Sequence, residues 1–159
     1  MDAEEIISEL GLQAHVEGGY YRRSYCSEIS LGIKDDQALA SSIYYLLTKK
    51  QSIGHFHRNK SDILHFHHGY GLIRYYLITA QGELSVVDMG SDIKQGQQLQ
   101  LVVPGGTWKA SELIDGEFGL ISEVVVPEFQ FEDMALAGSD EWALWQENHP
   151  ELGRFIKRL

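Results

Sequence analysis

A single cysteine, Cys26, stands in a chain of 159 residues. One thiol closes no internal disulfide and supplies no multi-thiolate metal site, so the fold does not depend on an oxidising compartment, and a reducing cytoplasm suits it. Also missing is any run near the ~18 consecutive apolar residues that a membrane-spanning helix needs. The opening Met1-Asp2-Ala3-Glu4-Glu5 is acidic where a secretory leader is basic. A cytoplasmic protein without a membrane partner is the expectation. Basic residues are sparse: the formal net charge is −10, and no basic run exceeds a pair such as Arg22-Arg23 or Lys49-Lys50. That balance repels phosphate backbones and anionic lipid and argues against nucleic acid as a partner. A small anionic ligand stays open, because a local cluster of arginine and histidine binds one inside an acidic protein. There is no internal repeat, low-complexity tract or linker, and 43% apolar residues suffice for one globular domain over residues 1–159.

What is present is a β-rich pattern framed by helices. Asp2 to Leu10 carries Ile6, Ile7 and Leu10 on one side, with Gly11 where a left-handed helix end is commonly placed, which predicts a short N-terminal helix. From about Tyr20 to Val126 short β-rich runs follow, at 41–48, 53–57, 63–68, 72–79, 83–88, 98–103 and 120–126. Gly69, Gln81-Gly82, Gly90, Gly96 and Pro104-Gly105-Gly106 punctuate them with turn chemistry. Closely spaced strands without helices between them imply an antiparallel sandwich or barrel, not a parallel α/β sheet. After Pro127, Ser139-Asp140 can cap a helix through Trp142, Leu144 and Trp145, and Pro150 can begin another carrying Leu152, Phe155 and Ile156. The runs 42–47 and 72–78 are apolar or aromatic on both faces. Terminal helices or another subunit must cover the second face, and a homodimer is expected.

The most informative segment is Gly54 to Gly69, which holds His55, His57, His65, His67 and His68, five of the seven histidines. Residues two apart on a strand share a face, so His55 and His57 pair on one side with Phe56 opposite, and His65 and His67 do likewise. The polar stretch between the runs suits a turn. A hairpin pairing His57 with Ile63 or with His65 brings all four imidazoles to one face, close enough to converge on one ion or one substrate. Such a patch can bind a divalent metal, supply a general base near neutral pH, or satisfy its own hydrogen bonds in a polar interior.

These residues resemble a known family. The His-x-His pair, an acidic turn and a second strand ending in glycine resemble the first motif of the cupin superfamily. The likeness sharpens to the cupin family known as domain of unknown function 985. His15-Val16-Glu17-Gly18-Gly19-Tyr20-Tyr21-Arg22 is similar to its opening element, and Phe56-His57-Arg58-Asn59-Lys60-Ser61-Asp62 to its central one. Its later elements are matched by Gln100-Leu101-Val102-Val103-Pro104-Gly105-Gly106-Thr107-Trp108 and by Val126-Pro127-Glu128-Phe129-Gln130-Phe131. The resemblance implies an antiparallel double-stranded β-helix, or jelly-roll barrel, with short terminal helices, commonly dimeric and related in shape to sugar-nucleotide epimerases and isomerases. It implies no particular reaction, since cupins include metal-dependent oxygenases, isomerases, epimerases and non-enzymatic binders. Two departures concern a metal. Ile63 stands where the family usually has glutamate after the Ser-Asp pair, and Trp108-Lys109 stands where metal-binding cupins supply another histidine. Lys109 also replaces a usual glutamine.

Three functional readings follow. In the first, a small polar, carbohydrate-like metabolite binds in the barrel and is isomerised or epimerised. His57 or His65 acts as the base, Asp62 orients an imidazole, and Arg22 or Arg74 neutralises an anionic group. Gln100 could then orient the ligand, and Tyr76, Tyr44 or Trp108 could stack on a ring, although aromatic residues in strands are more often core. In the second, His55, His57 and His67 hold a divalent ion with Asp62. In the third, the barrel binds or scaffolds without catalysis. Cys26 has no evident activating partner.

Overall fold

The computed structural model describes residues 1–32 and 36–158. Helix α1 (Ala3–Leu10) starts at a reciprocal cap: the Asp2 carboxylate accepts from the Glu5 N–H at 2.9 Å while the Glu5 carboxylate accepts from the Asp2 N–H at 2.8 Å. Gly11, at φ 61°, ends it in the left-handed conformation the sequence predicts.

The strands, numbered in chain order, form two antiparallel sheets. One runs β1 (Gln13–Ala14), β2 (Tyr20–Cys26), β3 (Ser41–Thr48), β10 (Phe118–Val126), β5 (Asp62–His67) and β8 (Gln100–Val103). The other runs β11 (Met134–Leu136), β4 (Ile53–Asn59), β9 (Trp108–Asp115), β6 (Leu72–Ile78) and β7 (Leu84–Met89). Between β3 and β11 the chain changes sheet at nearly every connection, which is the winding of a jelly roll.

Alternation along each strand sorts the side chains. Tyr45, Leu47 and Ile121 of the first sheet meet Ile73, Tyr75 and Leu113 of the second in the barrel interior. The opposite parity explains the two-faced apolar runs. Leu46, Phe118 and Leu120 point outward and are covered by Ile6 of α1. On the outside of the second sheet, Phe56, Ile78 and Trp108 are covered by Trp145 of α2 (Ser139–Trp145) and by Leu152 and Phe155 of a 3₁₀ helix (Pro150–Phe155). Buried side chains of this size each stabilise by about 1.5–3 kcal/mol, so both terminal segments are integral to the fold. The α2 start differs in detail from the sequence reading: Gly138 is the cap residue, its N–H held by the Glu141 carboxylate at 2.8 Å.

The expected histidine hairpin does not form. β4 pairs with β9 and β11, whereas β5 pairs with β10 and β8, so the two histidine strands lie in opposite sheets and face each other across the barrel. A bulge between Gly54 and His57 also breaks the simple alternation of β4. A Cβ on Gly54 would fall 2.6 Å from the interior Tyr45 hydroxyl, and His57, three positions on, is interior too. His55 therefore does not share the cavity wall with His57.

Candidate functional site

A cavity of about 510 Å³ opens at one end of the barrel. Its wall combines His57 and Asn59 of β4, Tyr21 and Arg23 of β2, Glu123 and Val125 of β10, Ile43, Ile63, and the segment Glu128 to Glu132. His15 and Glu17 reach the same wall from the strap between β1 and β2.

The strap is anchored from β4. The Glu17 carbonyl accepts from the His55 backbone N–H at 2.6 Å and from His55 Nδ1 at 2.8 Å, which fixes where the Glu17 side chain enters the barrel. Glu17 is 5% exposed and His57 4%. His57 Nε2 donates to Glu17 Oε2 at 2.9 Å and His57 Nδ1 donates to the His55 carbonyl at 2.8 Å. Both ring nitrogens thus face acceptors, and the His57–Glu17 pair carries one proton beyond a neutral imidazole and a carboxylate. His15 is different. Its Nδ1 accepts from the Glu17 backbone N–H at 3.2 Å, so its ring proton sits on Nε2, and burial holds its pKa below 6.5 against the opposing charge of Glu17. Burial by itself would raise the Glu17 carboxyl, but the charges of His57 and His15 outweigh it and hold the group below the ordinary carboxylate value.

A second buried cluster adjoins the first. Lys109 sits beside His57 in the β4–β9 register, and Glu123 sits beside His65 in the β10–β5 register. Across the barrel the Lys109 ammonium donates to His65 Nε2 at 2.7 Å and to Glu123 Oε2 at 3.1 Å. His65 Nδ1 points at the Leu101 carbonyl at 3.3 Å and carries the ring proton. Its Nε2 is therefore an acceptor, and its 3.4 Å approach to Glu123 Oε1 is not a hydrogen bond. Burial and the Lys109 charge keep the His65 ring neutral. Burial opposes the charge on Glu123, yet the Lys109 ammonium holds that carboxyl well below its ordinary value. Tyr75 contacts the His65 ring edge-on at 5.1 Å between centroids, and among the described residues neither its buried hydroxyl nor the Oδ1 of buried Asn59 has a hydrogen-bond partner.

Of the residues singled out in the sequence, His57 lines the cavity and His65 lies in the adjoining cluster. The rest lie elsewhere. The Asp62 carboxylate accepts from the Gly105 N–H at 2.8 Å and holds that turn. His67 Nε2 donates to the Gly71 carbonyl at 2.9 Å while its Nδ1 accepts from the Gly69 N–H at 3.1 Å, which shapes the turn after β5. Arg22 lies over the Tyr44 ring at 5.8 Å, outside the barrel, because inward parity on β2 falls on Tyr21 and Arg23. Arg74 alternates outward from Ile73 and Tyr75 and is gripped by both oxygens of Asp88 at 2.7 and 2.8 Å. Tyr76 packs on Phe155, Trp108 on Trp145, and Gln100 is exposed on β8.

The alternative metal set is therefore dispersed. His55 faces the Glu17 carbonyl, His57 Glu17, His67 Gly71 and Asp62 Gly105, and among the described residues no group of three or more His, Cys, Asp or Glu is placed to hold a metal ion. The histidine donors nearest the interior are already engaged, so the donor set does not fit a divalent ion.

The residues of the cavity wall and its adjoining cluster that the sequence reading did not single out as site residues include His15, Glu17, Arg23, Asn59, Lys109 and Glu123. Glu123 carried a usable signal, a lone charge within the apolar run Leu120 to Val126. Arg23 did not, since nothing local distinguishes it from Arg22.

The family model for the cupin superfamily family DUF985 matches residues 4–137, with the strap, both histidine strands and the Glu128 segment inside the match. The chain belongs to this cupin family. An uncharacterized protein of Saccharomyces cerevisiae, YML079W, is 38% identical to this cupin over 156 residues, covering 87% of this chain and 77% of that one. The crystal structure of protein SO0799 from Shewanella oneidensis superimposes with a TM-score of 0.91 at 32% identity, covering 99% and 98% of the two chains. A Bacillus subtilis oxalate decarboxylase shares the fold alone: TM-score 0.58, 15% identity, 86% of this cupin against 34% of the larger chain.

Proposed function

We propose that this cupin binds a small, uncharged, hydroxyl-bearing molecule of carbohydrate type in its barrel and moves a proton on it through the His57–Glu17 pair. The observation that carries this reading is the pair itself: both ring nitrogens on acceptors, buried, and on the wall of a cavity whose volume suits a small metabolite. Isomerisation or epimerisation beside a carbonyl moves a carbon-bound proton to a base while an acid protonates the carbonyl oxygen, and the reverse transfers return both. The Glu17 carboxylate can take the proton from carbon and a ring N–H of His57 can protonate the oxygen, so the pair is regenerated with no net oxidation.

Charge and hydrogen bonding favour an uncharged donor-rich ligand over an anion. Glu17, Glu123, Glu128 and Glu132 line the cavity against one arginine. That arginine, Arg23, is already engaged by Glu128 Oε1 at 2.8 Å and the Phe129 carbonyl at 2.9 Å. The unpartnered Asn59 Oδ1 is a buried acceptor that a ligand hydroxyl would satisfy. Tyr21, Phe129 and Phe131 offer apolar surface for the C–H face of a ring.

The test is a thermal-shift panel of neutral monosaccharides and polyols beside carboxylates and phosphate esters. A neutral hit at 100 times its dissociation constant should stabilise the fold by about 2.7 kcal/mol, and Asn59→Ala should weaken it. Incubating the hit with protein in deuterium oxide should place deuterium on a ligand carbon, with the rate lost in His57→Gln and Glu17→Gln. A panel in which only anions bind defeats the ligand assignment; binding without deuterium uptake defeats the proton-transfer assignment.

A further inference from the structure

Lys109 is 2% exposed, and lysine is almost never buried this fully unless paired. Its pairing comes from the opposite sheet, an imidazole nitrogen 2.7 Å away and a carboxylate oxygen 3.1 Å away. His65 is set as a metal-ligating histidine is set, with Nδ1–H against a backbone carbonyl and the Nε2 lone pair directed inward. An imidazole nitrogen and a carboxylate are donors that a divalent ion selects. Here they grip the end of a flexible stem rooted in β9.

We propose that the Lys109 ammonium is a covalently tethered resident cation that stands in place of a divalent metal ion in this barrel and supplies the counter-charge for Glu123. The two roles are one arrangement: a divalent ion at these donors would have to displace the ammonium, since like charges a few ångströms apart in a buried space repel strongly. Glu123 also faces the cavity, so the tethered cation gives the cavity wall an ionised carboxylate without any metal supply. This inference is independent of what the cavity binds.

Protein made without a histidine tag is stripped with chelator and titrated with zinc or nickel, and bound metal is read by elemental analysis after desalting. Wild type is expected to retain less than about a tenth of an equivalent and to melt at the same temperature with and without chelator. Lys109→His, which exchanges the ammonium for a third donor beside His65 and Glu123, is expected to take up about one equivalent of zinc and to lose it when combined with Glu123→Gln. Near-stoichiometric metal in wild type, abolished by His65→Gln, overturns the proposal. So does a folded Lys109→His protein that takes up no metal. A second pair of variants keeps the question decidable if Lys109→His fails to fold. Lys109→Met leaves Glu123 uncompensated, and adding Glu123→Gln removes that charge, so the double variant is expected to melt higher than the single one. A double variant melting at or below the single one overturns the counter-charge role.

Discussion

Glu123 and Glu17 are ionised in places where burial favours the protonated form, and the charges that reverse this preference also tie stability to pH. The Lys109 ammonium holds Glu123 well below the ordinary carboxylate value of 4.5, and His57 holds Glu17 below it. His15 and His65 are held below 6.5 by burial. In each case the unfolded chain binds the proton more readily than the folded one, so stability rises with pH. The contributions are complete above pH 6.5 and are lost in two stages, those of the histidines as pH falls from 6.5 towards their lower folded values and those of the carboxylates only as it falls below 4.5. Urea unfolding from about pH 8 to about pH 3 should show a plateau at high pH, a first decline below 6.5 and a second below 4.5, and equal stability at the two ends would contradict it. At neutral pH, Glu123→Gln should cost about 3–5 kcal/mol, because it leaves the Lys109 ammonium buried without a carboxylate. At this scale the sequence was only half legible. A lone charge in an apolar strand marks both Glu123 and Arg74, but nothing local says which parity faces inward, and Arg74 turned out to grip Asp88 on the outside.

The elements were more legible than their pairing. The strand 41–48 is observed over its predicted span, and most others differ by a few residues at their ends, because long β-branched and aromatic runs decide strand identity locally. β9 was not predicted: Lys109, Ala110 and Glu112 are poor strand formers, and a buried lysine reads as a surface residue. The partners of β4 and β5 were misassigned because a short polar turn signals a hairpin, while here it carries the chain across to the other sheet. The strap between β1 and β2 is where element and chemistry meet. Gly18 sits at φ 106°, and a Cβ there would lie 2.2 Å from the Ile53 carbonyl oxygen. Gly18→Ala should therefore cost about 1–3 kcal/mol and push Glu17 away from His57. Chemical denaturation reads the first effect, and the ring proton signals of His57 in NMR read the second. An alanine variant as stable as wild type would show that the strap does not set the position of Glu17.

At the scale of the whole molecule, covering helices account for most of the outward apolar surface but not all of it. α1 shields Leu46, Phe118 and Leu120 at one end of the first sheet, whereas the row Val102, Leu64 and Val124, in direct cross-strand register, lies beyond that cluster. Val102 is 51% exposed and Val126, on the same face, 39%. Phe66 and Tyr44 extend the patch, both half-buried. β8 is also the last strand of its sheet among the described residues, an edge at which another strand can add. An apolar sheet face beside an open edge fits a second copy of the same surface, since a two-fold axis through the Leu64 row would place apolar side chains on apolar side chains. Sedimentation velocity at micromolar concentration should report a dimer, and Leu64→Arg, whose side chain is outward and so distant from the cavity parity of Ile63 and His65, should convert it to a folded monomer. A wild-type protein that sediments as a monomer, or a Leu64→Arg variant that remains dimeric, would move the interface elsewhere.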